Sequence, residues 1–200
     1  MRATKTIPAD YHYCKTLNLS STRVALQLNL AAVPLLFLFG WLFARLTIFL
    51  RSINPFPKGI LYFFTTVSGW GLLAFPISII LMLLLHELVH GLFFWLFTRE
   101  RPKFALKAGY AFAAAPEWYL PGPQYIVVGL SPFIIITLIS IIVAVFAAPS
   151  LVVYLLFIAT FNAAGALGDL IVVGWVLRQP APVLVKDEGD VFISFVPGAG

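Results

Sequence analysis

Leu81-Met82-Leu83-Leu84-Leu85-His86-Glu87-Leu88-Val89-His90-Gly91 sets two histidines and a glutamate directly behind five apolar side chains. The stretch lies inside an apolar run of 38 residues, Ile60 to Phe97. As one helix that run would extend about 57 Å at 1.5 Å per residue, too long for a straight crossing of about 30 Å of hydrocarbon, and it lacks the polar loop that two crossings need. We read a span over about Gly71 to Phe97, kinked near Pro76, with Ile60 to Ser68 as an interfacial or re-entrant piece. Working outward, the same length rule gives three further spans: about Val24 to Ala44 with Arg45 snorkelling at its end, Tyr125 to Ala147 with Pro132 in its first turns, and Leu151 to Leu177 after a very short turn at Pro149. These runs are too continuous for barrel strands, which alternate every second residue. The expected fold class is an all-α membrane protein, a four-transmembrane-helix bundle with a small cytoplasmic β element, in which residues 1–200 form one integral membrane domain and 178–200 its cytoplasmic tail.

Composition agrees. Of 200 residues 61% are hydrophobic and 10% charged, with a mean hydropathy of +0.98, whereas water-soluble domains run about half apolar and a quarter charged. Disorder and a disulfide framework are excluded, since Cys14 is the only cysteine. The net charge of +5, from 13 Lys+Arg against 8 Asp+Glu, fits loops facing anionic lipid and requires no nucleic acid. The first twenty or so residues are polar, with no short apolar run before a small-residue cleavage site, so no signal peptide is expected. With four spans, one face receives ten cationic residues (Arg2, Lys5, Lys15, Arg23, Arg99, Arg101, Lys103, Lys107, Arg178, Lys186) and the other Arg45, Arg51 and Lys58. The larger number belongs inside, so both termini are expected in the cytoplasm. On that face the period-two pattern of Phe104, Leu106, Tyr110 and Phe112 reads as a strand with a bend at Ala108-Gly109, ended by Pro116 and Pro121. Val183–Lys186 and Val191–Phe195 around Asp187-Glu188-Gly189-Asp190 read as a β-hairpin.

The chemistry gathers at His86-Glu87-Leu88-Val89-His90, an HExxH pattern. Four residues on a helix bring side chains back to one face, so His86 and His90 can share a metal ion with Glu87 beside it as general base. Ionisable groups in a span cost about 2.5 to 3.5 kcal/mol each at the centre, which is why they usually mark function. A third protein ligand is needed, with the fourth position open to water. Asp169 is the only acidic residue in the other three spans, and its depth, 7 to 8 Å past the centre of its span, coincides with that of the histidines, about 3 to 9 Å past theirs. The alternatives for Asp169 are a pairing with Arg178 or a helix-packing hydrogen bond; Glu117 competes as ligand from a Pro-rich loop, and His12 reads as surface. Asn162, seven residues or nearly two full turns before Asp169, is expected to share its face and either polarise a scissile carbonyl as a catalytic group or bond between helices. Gly165, Ala166 and Gly168 would let this span approach another closely. Two imidazoles and a carboxylate favour Zn²⁺, though non-haem iron uses the same ligand types.

His86-Glu87-Leu88-Val89-His90-Gly91, Gly109-Tyr110-Ala111-Phe112, Leu130-Ser131-Pro132 and Asn162 through Gly168-Asp169 together resemble the small prokaryotic zincin peptidases of the DUF3267 type, over roughly Gly71 to Leu177. More distantly they are similar to site-2 intramembrane metalloproteases. The resemblance implies a prokaryotic plasma-membrane enzyme with zinc on His86, His90 and Asp169, Glu87 as general base, and a membrane-protein or peptide substrate cut within or next to the bilayer. Leu167-Gly168-Asp169-Leu170 departs from the Asn-Pro-Asp-Gly type of motif that carries the third ligand in many site-2 proteases. The alternative function is a non-proteolytic metal-binding membrane protein with a structural, metal-sensing or metal-transfer role. A small channel or transporter is disfavoured, since no inverted repeat is present.

Overall fold

The computed structural model describes residues 1–51, 69–107 and 110–198. Element order is β1 (Tyr11–Asn18), α1 (Thr22–Arg51), α2 (Trp70–Thr98), β2 (Lys103–Lys107), β3 (Tyr110–Ala114), β4 (Tyr119–Pro121), α3 (Gly122–Phe146), α4 (Pro149–Gly165), α5 (Leu167–Val176), β5 (Leu184–Asp187) and β6 (Val191–Pro197). Among the described residues, α1, α2 and α3 are each long and apolar enough to cross a membrane; α4 and α5 make a fourth candidate only if the pair, bent by 40°, counts as one broken span. The expected continuous fourth helix is therefore corrected to two. Gly165 and Gly168 flank the break at Ala166, and among the described residues a Cβ added at either would meet nothing within 4 Å. The first helix outruns its expected end at Ala44 by about two turns, continuing through Arg51, the last residue described there. The piece expected at Ile60 to Ser68 lies outside the described residues.

The chain divides into two compact units, Met1–Asn29, Glu87–Pro132 and Ala166–Gly200 in the first, and Leu30–His86 and Phe133–Gly165 in the second. In the second, Phe43, Val152, Leu156, Ala159 and Ala163 form the core, with Phe39, Phe133 and Ile141 packed against it. Phe37 and Phe49 on α1 are 76% and 83% exposed, an outward apolar surface that suits hydrocarbon rather than water. Arg51 donates to the carbonyls of Ala144 (2.8 Å) and Ala147 (2.7 Å), satisfying acceptors that the end of α3 leaves open.

In the first unit the sequence gives more β structure than its pattern announced. The expected bent strand is an antiparallel hairpin, with Phe104 opposite Ala113 and Ala105 opposite Phe112. The hairpin expected after the last helix is present as β5 and β6. It belongs to a four-stranded antiparallel sheet of order β1-β6-β5-β4, whose outer strands were not expected. β1 comes from the polar amino-terminal segment and pairs with β6, while Thr4 bridges to Tyr119 in β4. Val183, Val185, Phe192 and Val196 from this region pack with Phe94 of α2, Tyr125 and Val128 of α3, and Val172 and Val176 of α5. The sheet thus braces the ends of the helices that carry the site.

Candidate metal centre

His86, Glu87 and His90 occupy one turn of α2. His86 is 9% and His90 7% exposed. Leu83, Leu84, Leu85 and Leu88 around them are exposed, so the turn offers its polar side inward and its apolar side outward. Asp169 stands in the first turn of α5, where the partial positive charge of a helix start favours a carboxylate. The break at Ala166 is what turns a mid-span residue into a first-turn residue. His90 Nε2 lies 3.4 Å from Asp169 Oδ1. The division between units falls inside α2, immediately after His86, and the helix itself fixes His86 one turn from His90. One ligand atom from each of His86, His90 and Asp169 falls within 4.8 Å of the others.

Both imidazoles are oriented from behind. His90 Nδ1 is 3.0 Å from the Val128 carbonyl oxygen, which can only accept, so Nδ1 carries the hydrogen and donates. His86 Nδ1 is 3.0 Å from Asn162 Oδ1. The Asn162 amide nitrogen donates to the Phe133 carbonyl (3.4 Å) and Thr137 Oγ1 (3.1 Å), which fixes the carboxamide with its oxygen toward His86, and so His86 Nδ1 also donates. In the neutral form of each ring, donation from Nδ1 places the lone pair on Nε2. A nitrogen lone pair facing a carboxylate oxygen requires a proton or a cation between them. Two atoms each about 2.0 Å from one tetrahedral ion sit about 3.3 Å apart, close to the 3.4 Å between His90 and Asp169. The donor set and its backing hydrogen bonds fit a divalent metal.

A family model described as "Putative zincin peptidase", DUF3267, matches residues 79–184. The chain belongs to the DUF3267 family. Its description points to a metallopeptidase and implies a zinc cofactor. No curated protein and no solved structure matches the chain. The DUF3267 segment contains His86, Glu87, His90, Asn162 and Asp169 and closes at the start of β5.

Other residues weighed from the sequence fall elsewhere. Glu117 is exposed and bonded to Lys103 (2.9 Å), which holds its carboxyl below the usual range. His12 is exposed on β1. Asn162, fully buried, lies before the break and Asp169 after it, so their seven-residue spacing does not carry a common helix face. Around the DUF3267 motif the structure adds contacts that sequence reasoning missed. A Cβ at Gly91, directly after His90, would lie 2.5 Å from Phe104 Cζ, so the hairpin rests its ring on the helix beside the motif. Tyr125 donates to Asp187 Oδ2 at 2.6 Å and the Gly189 amide to Asp187 Oδ1 at 2.7 Å. Asp187 is 4% exposed, and burial pushes its carboxyl up to about 6 despite these two bonds. The glycine in the motif was the only sequence signal for any of these contacts.

Proposed function

We propose that this chain is a zinc-dependent membrane-embedded endopeptidase that hydrolyses peptide bonds within or next to the bilayer, working as one domain with both termini cytoplasmic. The observation that carries the reading is the pair of imidazoles held as Nδ1–H donors by Val128 and Asn162, which leaves Nε2 of each for an ion shared with Asp169. His86, His90 and Asp169 would hold Zn²⁺. Bound there, the ion supplies Lewis acidity, making a water acidic and polarising a carbonyl. Glu87 takes the proton of the attacking water and passes it to the leaving amine. Asn162 serves by holding His86, because both ends of its carboxamide are already engaged.

A substrate helix hides its peptide bonds in internal hydrogen bonds and must be unwound before attack. The β2–β3 hairpin supports a place for the unwound segment: Phe104 abuts the motif helix at Gly91, and the two-stranded sheet offers strand edges for pairing. Proline substitutions along Lys103–Lys107 remove edge donors and should abolish cleavage; unchanged cleavage would exclude this role for the hairpin. The catalytic reading is tested by cleavage of single-span membrane substrates by wild type and Glu87→Gln at equal zinc content. Turnover by wild type alone supports a peptidase. Equal behaviour of the two supports the non-proteolytic metal-binding alternative.

A further inference from the structure

The carbonyl that orients His90 belongs to Val128, in the interior of α3. In an unbroken α-helix that oxygen would accept the N–H of the residue four positions on. That residue is Pro132, which has no N–H and whose ring pushes the carbonyl four residues back away from the helix axis. The Val128 oxygen instead receives His90 Nδ1 at 3.0 Å and Ser131 Oγ at 2.9 Å. Pro132 is fully buried, so its ring is not at a tolerant surface position. A proline inside a helix is ordinarily costly, and this one sits at the single position whose missing hydrogen bond liberates the acceptor used by His90.

We propose that Pro132 is a positioning residue for the metal centre, which by withholding a backbone hydrogen bond frees and tilts the Val128 carbonyl so that it fixes the tautomer and rotation of the His90 imidazole. The inference rests on the metal reading above and deepens it. Ser131 Oγ supplies the second hydrogen bond, so the liberated carbonyl is satisfied from two sides without drawing on the helix ladder.

The test uses full-length protein in detergent, comparing wild type with Pro132→Ala and Pro132→Val. Both restore the backbone N–H, but one leaves a small void and the other overfills the site, so a loss common to both reports the hydrogen bond and not the volume. Zn²⁺ affinity is measured by chelator competition, the Co²⁺ visible spectrum reports the ligand geometry, and the melting temperature of the metal-free protein reports the fold. Zinc affinity is expected to fall by about tenfold or more in both variants, with shifted cobalt bands, while at least one variant melts at or above the wild-type temperature because a helix-breaking residue has gone. A residue with only a structural role would not lower metal affinity while raising stability. Wild-type affinity and an unchanged cobalt spectrum in either folded variant overturn the inference. If wild type itself binds neither ion, the metal reading fails and takes this inference with it.

Discussion

Gly129→Ala should damage the centre through packing alone. Gly129 follows Val128 on α3, and a Cβ there would lie 2.6 Å from Cγ2 of Val173 and 4.0 Å from the backbone oxygen of Asp169. Ordinary carbon contacts begin near 3.5 Å, so α3 and α5 must part locally by about 1 Å. Val173 is buried and β-branched, which closes the rotamer escape open to a longer side chain. Overpacking of this kind costs about 1 to 3 kcal/mol; we take the upper end, less about 1 kcal/mol gained from replacing glycine in a helix. The net of about 2 kcal/mol corresponds to a melting temperature lower by about 4 to 8 °C for a chain of this size. Val128 supplies the acceptor for His90 and Val173 lies one turn beyond Asp169, so zinc affinity should fall with stability. The assay is a double-mutant cycle with Val173→Ala, read by thermal melts and zinc competition. Shrinking the valine makes room for the new methyl, and the coupling should be about 2 kcal/mol in the favourable direction. Simple additivity of the two substitutions would refute the close approach of these helices.

Three further outcomes follow from named contacts. Asn162→Ala removes the acceptor behind His86 and should weaken zinc binding about 10- to 100-fold; a lowered kcat at unchanged zinc affinity would instead make Asn162 a group acting on the substrate. Gly91→Ala should lower cleavage by displacing Phe104, and Gly91→Ala/Phe104→Ala should recover it; failure to recover would detach the hairpin's position from catalysis. Asp187, held near 6 in the fold against an ordinary 3.8, binds more protons folded than unfolded between those values, so its contribution to stability declines as pH rises from about 4 through 6. At full extent the penalty is about 3 kcal/mol. Melts of the metal-free protein across that window should show a slope that Asp187→Asn lacks, and parallel profiles would contradict the buried carboxyl.

Long apolar runs are legible because crossing a bilayer requires continuous length, and the three helices found lie within a few residues of the expected spans except at the end of α1. HExxH is legible because it needs only one helical turn. The break at Ala166 was hidden, since Gly165 and Gly168 carry the same letters whether they admit a neighbouring helix or relax a bend. β1 was hidden because Tyr11–Asn18 is a largely exposed edge strand whose partners, Val191–Pro197, lie at the far end of the chain. The pairing of β2 with β3 passed for one bent strand because period-two alternation reads the same in a single strand and in two paired ones. The backing of His90 is a main-chain oxygen, which residue identity never displays directly; Leu130-Ser131-Pro132 was visible as a pattern, and its meaning required the distance from Val128 to His90.

A metal site shared by His86, His90 and Asp169 requires each of the three for ion binding. It is tested most directly by the zinc content of purified wild type, His86→Ala, His90→Ala and Asp169→Ala under zinc-replete conditions. About one zinc per chain is expected in wild type, lost in all three variants. Retention of full zinc by Asp169→Ala, or none in wild type, would contradict it.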